Sequence, residues 1–348
     1  MSIDPINPTP IPPPASSGFS LANVIFATLI PTIIIVAVAG YFYITAIPEN
    51  PGNLDFQIGL ADRVIGDRTK LSEAFADANG DLVADMPSDA SKLVDPEKLL
   101  ISHVASADSI EQAKKWQPLM DMIQKTTGKP VEYVILTDTN EQLSYFKEGK
   151  LHIAAFNTGT VPAAVNLTGF VPYCSPVTTG STTGYQMVFI VPKESAINTP
   201  ADIKGKTLAV TNVMSHSGYK MPLTYLRDEF KMYPGKDYDL RLSGGHAQSI
   251  KGIQSDGYEV AAVASDLLSS IQNAGGIKEG DYRVIHRSDT NQPAAPWGYA
   301  YNLKPELQDK IKQAFDAYTD PKFQPISYVK DWDYIRKVDS AMLNWNSK

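Results

Sequence analysis

Cysteine is almost missing: Cys174 is the only one in 348 residues. No intrachain disulfide can form, and the cysteine-based zinc frameworks are excluded. Clustered basic charge is missing too, since the formal net charge is −7 and no Lys/Arg run gathers anywhere along the chain. That excludes a nucleic-acid surface and a polybasic membrane patch. There is no G-x-S-x-G elbow, no H-E-x-x-H helix, no glycine-lysine P-loop signature and no internal repeat, which removes the commonest hydrolase, metalloprotease and nucleotide-binding motifs. What is present is 43% hydrophobic composition, enough for two ordinary domains with sizeable cores. An anionic partner would have to be held by local dipoles.

Charge of either sign is absent between Asp4 and Glu49. Within that stretch, residues 21–47 are apolar over a length that spans about 30 Å of hydrocarbon as a helix. The reading is an uncleaved transmembrane anchor preceded by a Pro/Ser/Thr-rich disordered tail, residues 1–20. Ala37-Val38-Ala39 offers cleavage-like small residues, but the basic segment of a signal peptide is missing before it. Residues 1–20 hold no Lys or Arg, so charge does not set the orientation. Residues 48–96 read as an acidic linker. Inside it, Asp77, Asn79, Asp81 and Asp85 stand at positions 1, 3, 5 and 9 of a run that resembles a calcium loop, because Ca²⁺ takes six to eight oxygens from a tightly curved chain. Leu82 occupies the usual glycine and Ser88 the usual glutamate. A structural calcium site and a solvated acidic linker are the two readings of this run.

From Leu99 onward, short apolar runs alternate with amphipathic stretches, the βα pattern of a parallel or mixed sheet covered by helices. Strands are expected at 99–104, 131–136, 151–156, 185–191, 207–211, 258–263 and 282–286. Asp108 and Glu111 stand at capping-box spacing before a helix with Ile110, Ala113, Trp116, Met120 and Ile123 on one face, kinked at Pro118 and ended by Gly128 and Pro130. Leu307, Ile311 and Phe315 form a further apolar stripe, read as core packing.

The most informative stretch runs from Lys204 to Tyr219. A strand enters the Ser/Gly-rich turn Ser215-His216-Ser217-Gly218, and a helix follows to Phe230. Helix-terminal N–H groups, the positive end of the dipole and two hydroxyls then converge on one spot, an arrangement suited to an oxyanion. On local sequence alone, Ser215 or Ser217 simply capping the helix explains the same residues. His246 follows Gly244-Gly245 and can donate to an anion, whereas His103, His152 and His286 read as structural. Ser217, His246 and Asp266 also permit a hydrolase reading if they meet in space.

Taken with Trp116 to Pro118, Gly149 to Phe156, Gly184-Tyr185, Leu208 to Pro222, Gly244-Gly245-His246 and Tyr282 to Ser288, this stretch resembles the phosphate/phosphite/phosphonate ABC transporter binding-protein family. The resemblance covers most of residues 95–303, and the turn is similar to that family's Ser-Thr-Ser-Gly-Tyr with His216 in the middle place. It implies an α/β, two-lobed type II periplasmic binding protein, with residues 97–188 and 290–348 in one lobe and 189–289 in the other. It implies no enzyme. The expected ligand is a phosphonate, phosphite or phosphate held between the lobes by Ser215, His216, Ser217, Gly218 and His246. Asp266 matches the family's acidic residue, and Phe156 and Tyr185 complete the expected ligand set. The implied partner is an ABC permease, with the soluble part on the periplasmic or extracytoplasmic side. An anion sensor or interaction module on the same fold is the alternative.

Three departures bear on the ligand. The Pro-x-Asp-Pro segment that holds an amine in some members is Pro293-Ala294-Ala295-Pro296 here. Two tyrosine positions appear as Phe156 and Thr139. The anion seat is retained while the organic-tail seat is rebuilt, so aminoethylphosphonate is not carried over as the substrate.

Overall fold

The computed structural model describes residues 69–106, 109–177, 184–255 and 257–343. The expected tail, the expected anchor at 21–47 and the first part of the linker lie outside the described residues. Among the described residues no helix is long and apolar enough to cross a membrane.

The first lobe is built from β1 (Leu99–Ser102), α1 (Ser109–Lys115), α2 (Gln117–Thr127), β2 (Val131–Tyr133), α3 (Thr139–Lys147), β3 (Ile153–Ala155), α4 (Val161–Thr168) and β4 (Phe170–Pro176). The second contains β5 (Met187–Pro192), β6 (Thr207–Val210), a π-helical turn at His216–Lys220 that runs directly into α5 (Met221–Phe230), β7 (Asp239–Leu242), α6 (His246–Gln254), β8 (Val260–Ala264), α7 (Ser265–Asn273) and β9 (Tyr282–Arg287). The chain returns to the first lobe through β10 (Trp297–Ala300), α8 (Pro305–Ala317) and β11 (Phe323–Pro325), and finishes with α9 (Tyr328–Asp331) and α10 (Asp333–Leu343).

The sheet orders are β11-β4-β10-β3-β1-β2 and β7-β6-β8-β5-β9. Around β1 and β6 the pairing is parallel, in registers Leu99↔Val131 and Leu208↔Val260. In each sheet one strand that returns from the other lobe, β10 or β5, runs antiparallel to its neighbours. Parallel strands are covered on both faces, which explains why Val260 to Ala264 is a continuous small apolar run, every residue of it buried. Large aromatics fill the first core, where Phe156 meets Phe146 and Phe170 edge-on at 5.7 and 4.9 Å. Each such fully buried side chain contributes roughly 1.5–3 kcal/mol.

All seven expected strands are present, each within a few residues of its expected bounds. The expected single helix 109–127 is two. Pro118 cannot donate an N–H in a helix interior but is tolerated in a first turn, so it opens α2 after a break at Trp116. Ile110 is left 60% exposed, while Trp116, Met120 and Ile123 are buried as expected. The expected linker is also corrected from Leu71 onward. Leu71, Leu82 and Val83 pack against the first core, Phe75 meets Tyr301 edge-on at 5.1 Å, and Val94 bridges to Leu303.

The crossing between lobes is tightly specified. Tyr185 and Gln292 exchange backbone hydrogen bonds of 2.9 and 2.6 Å. Beside them Gly184 has φ 112°, and a Cβ there would collide with the Gln292 carbonyl oxygen. Because β5 begins at Met187, the second lobe starts slightly before the expected boundary at 189. The chain end also departs from expectation: Ile335 packs in the first core, but Met342 packs in the second. Helix α10 thus joins both lobes.

Candidate functional site

Strand β6 delivers the chain into Asn212–Ser215, and Ser215 caps the helical turn by accepting a hydrogen bond from Gly218 N at 3.1 Å. Lys220 N donates to Ser215 O at 3.1 Å, closing the π-type turn, and Thr211 N donates to Gly218 O at 2.9 Å. The first N–H groups of a helix have no intrahelical partner, so those of His216 and Ser217 head the turn. Gly218 is required by space rather than by φ. A side chain there would collide with Thr211 and come within 2.9 Å of Ser215 Oγ. Capping and anion binding are compatible, because the Ser215 oxygen accepts from Gly218 while its hydrogen remains available for donation.

His246 begins α6 after Gly244, whose φ of 89° turns the chain. Its Nδ1 accepts a hydrogen bond from Ala264 N at 3.2 Å, and its Nε2 lies 3.5 Å from Ser215 Oγ. An Nδ1 that accepts cannot carry the proton, so the neutral ring is the Nε2–H tautomer and its donor points to the turn. Burial pushes the His246 pKa down to about 4, which keeps the ring neutral at pH 7. His216, 1% exposed, is pushed down to about 3 by burial and then by the Lys220 charge. Its ring stands edge-on to Tyr334 at 5.9 Å.

Tyr185 brings its phenol to the same place from the crossing segment. Burial raises its pKa, and the Thr158 hydroxyl, the Asp266 carboxylate and the Ser217 hydroxyl lie near enough to act on it. Asp266 stands in the first turn of α7, its own pKa raised by burial and opposed by the backbone N–H groups of Leu267 and Asp266 itself. Ser215, Gly218 and His246 are therefore direct neighbours, as are Tyr185, Ser217 and Asp266. Phe156 is apart from both groups: its side chain is fully buried among Phe146 and Phe170. His103, His152 and His286 have packing roles, with His103 stacked on Trp116 at 5.2 Å, His152 accepting from Leu100 N at 2.9 Å, and His286 stacked on Tyr225 at 4.2 Å.

The first lobe contributes a wall that sequence reasoning missed. Thr158 donates to Pro293 O at 2.7 Å, and a Cβ on Gly159 would sit 2.6 Å from His216 N. The signal was available, since residues 157–159 follow the carboxyl end of a parallel strand, where open α/β sheets bind ligands. Pro293-Ala294 lies beside this wall, with Ser175 Oγ donating to Ala294 O at 3.2 Å.

A triad is not formed. Nδ1 of His246 takes the Ala264 N–H rather than donating to Asp266, and a nucleophile's base needs that orienting contact. At the acidic loop, Asp77 accepts from Asp81 N and Leu82 N, Asn79 from Asp81 N, Asp81 from Val83 N and Asp85 from Ala78 N. Among the described residues no three His, Cys, Asp or Glu side chains are grouped as metal ligands.

Two α/β lobes meet at the 216–220 turn, where Ser215 Oγ lies 3.5 Å from His246 Nε2 and Gly159 of the first lobe faces His216 N, and this two-lobed architecture is that of a solute-binding protein. The chain belongs to the family described as ABC transporter, phosphonate, periplasmic substrate-binding protein, whose model matches residues 101–343. It is a family of binding components of importers, not of enzymes. The chain is 26% identical over 245 residues to the phosphate-import protein PhnD of Mycolicibacterium smegmatis, covering 67% of this chain and 75% of that one. It is 24% identical over 227 residues to the phosphonates-binding periplasmic protein of Escherichia coli, covering 64% and 67%. Its fold is similar to a binding-protein component of an ABC phosphonate transporter from Pseudomonas aeruginosa, with TM-score 0.62, 19% identity, and coverage of 72% and 90%.

Proposed function

We propose that this protein captures phosphite, phosphate or a small alkylphosphonate at the Ser215–Gly218 turn and presents it to an ABC permease on the extracytoplasmic side. The observation that carries the reading is the cluster of neutral donors at the turn: the Ser215 and Ser217 hydroxyls, the leading N–H groups of the helical turn, and His246 Nε2–H 3.5 Å from Ser215 Oγ. Neutral donors at a helix terminus hold an anion without a basic surface, which suits a chain of net charge −7. Family membership and the phosphate- and phosphonate-named relatives support the same ligand class.

The choice within that class rests on the rebuilt tail seat. Ala295 supplies no carboxylate for an ammonium, and a desolvated charge without a partner is costly. Only Asp266 remains to meet an amine. Membrane attachment through residues 21–47 is part of the proposal and is supported by the absence of charge between Asp4 and Glu49. Calorimetric titration against phosphite, phosphate, methylphosphonate and aminoethylphosphonate tests the ligand. One of the first three should bind at least as tightly as the last; aminoethylphosphonate binding about tenfold tighter than the others contradicts the tail-seat argument. Adjacency of the gene to a permease and an ATPase separates an importer from a sensor.

A further inference from the structure

A lysine with no exposed surface sits directly beneath the anion turn. Lys220 ends the π-helical turn, its side chain and that of Asp339 are both 0% exposed, and Nζ lies 2.7 Å from Asp339 Oδ1. The same ammonium donates to Gly159 O at 2.8 Å. Three segments distant in sequence therefore meet on one Nζ: the turn of the second lobe, the strand end of the first lobe that faces His216 N, and the terminal helix α10. Trp332, just before α10, adds a bond to the same strand end by donating from Nε1 to Thr158 O at 3.0 Å.

Stability alone does not account for this arrangement. A buried ion pair seldom stabilises a fold more than well-packed apolar side chains of similar volume would, because both charges must leave water. What such a pair supplies is fixed geometry, as each partner is useful in one place only. The turn needs that. A π-type turn is a rare conformation and persists where its surroundings over-determine it. Here Ser215 O and Lys220 N close the turn from inside at 3.1 Å, while Lys220 Nζ pins its last residue from outside. Displacing that residue would rotate the leading N–H groups and the Ser217 hydroxyl off the point they share with His246.

We propose that Lys220 is a positioning residue for the anion seat, holding the 216–220 turn in ligand-ready geometry through Gly159 and Asp339 without touching the ligand. This rests on the oxyanion reading of the turn. It also makes α10 part of the binding apparatus, since the counter-charge comes from that helix.

The test compares Lys220→Met, Lys220→Met/Asp339→Leu and Asp339→Asn in the full chain. Three readouts are used: thermal unfolding, phosphite affinity by calorimetry, and amide hydrogen exchange at residues 215–220. Lys220→Met strands a buried carboxylate and should unfold at a lower temperature. The double variant removes both charges and should recover most of that loss, yet bind phosphite about tenfold or more weakly and exchange the Gly218 and Lys220 amides faster while β8 stays protected. Asp339→Asn keeps an oxygen acceptor for Nζ and should retain affinity within about threefold. A double variant that binds phosphite as wild type does, with the turn still protected, overturns the proposal. If the double variant does not fold, Lys220→Met held below its unfolding temperature decides: faster exchange confined to residues 215–220 supports positioning, and wild-type exchange there overturns it. Exchange needs no ligand, so a wild-type protein that bound no phosphorus oxyanion would remove the functional reading while the exchange comparison still decided the role of Lys220.

Discussion

Replacing His246 by Asn or by Gln separates its two nitrogens. Asn places its oxygen near where Nδ1 stands and can still accept from Ala264 N, now at 3.2 Å, but it has nothing at the Nε2 position. Gln reaches toward the Nε2 position and can donate there, at the expense of the Ala264 contact. Hydrogen bonds to a charged group are worth roughly 1.5–3 kcal/mol, so His246→Asn should weaken phosphite binding about ten- to hundredfold. Its unfolding temperature should stay close to wild type. His246→Gln should show the opposite pattern, keeping more affinity than Asn and losing some stability. Calorimetry and thermal unfolding on the three proteins measure both quantities. Wild-type affinity in His246→Asn would refute the assignment of Nε2–H as an anion donor, whatever its stability.

Further outcomes follow from the same geometry. Ala295→Asp should shift preference toward aminoethylphosphonate over methylphosphonate while leaving phosphite affinity nearly unchanged, and a phosphite affinity that collapses would place residue 295 at the anion instead of the tail. Gly218→Ala should lower both affinity and unfolding temperature, since its methyl would crowd Thr211 and Ser215, at a cost of about 1–3 kcal/mol; a variant that melts as wild type does contradicts the close packing of the turn. Stability should fall as pH drops from about 6.5 toward 4. His103 and His216 are pushed down to about 3 and His246 to about 4, chiefly by burial, so in that window the unfolded chain binds protons that the folded one refuses. Each such proton contributes about 1.4 kcal/mol per pH unit. A denaturant midpoint that is flat between pH 7 and pH 5 would contradict this.

The elements that the sequence announces are those built from strong local patterns. Val-Ala-Ala-Val-Ala of β8 and the Leu307, Ile311, Phe315 stripe of α8 could be placed without any partner in view. The four strands that were not foreseen each break a local rule for a reason that lies elsewhere in the fold. Strand β4 contains Pro172 and Pro176, which ordinarily demote a run. Strand β10 contains Gly298, where any Cβ would collide with the Val171 carbonyl oxygen. In β7 the alternation includes Asp239 and Arg241 on an edge, and β11 is only three residues long. The second-lobe half of the site was legible because its donors lie on one continuous turn and one glycine-marked histidine. Thr158, Gly159 and the Lys220–Asp339 pair were not, because each acts across more than sixty residues of chain. One clue was present: Lys220 and Asp339 interrupt apolar helix faces, next to Leu223 and between Ile335 and Met342, where a charge is tolerated only with a partner. Phe156 was not legible as a core residue because a matched position does not reveal which way its ring turns, and two neighbouring phenylalanines, Phe146 and Phe170, hold it in the first core.

The most direct test of the central claim is calorimetric titration of wild type and Ser217→Ala with phosphite, run side by side with thermal unfolding. Ser217 is 1% exposed and stands at the turn beside Tyr185. Wild type should bind phosphite one-to-one, and Ser217→Ala should lose about ten- to hundredfold in affinity at an unchanged unfolding temperature. Equal affinity in the two proteins would contradict it and move the oxyanion seat away from the Ser215–Gly218 turn.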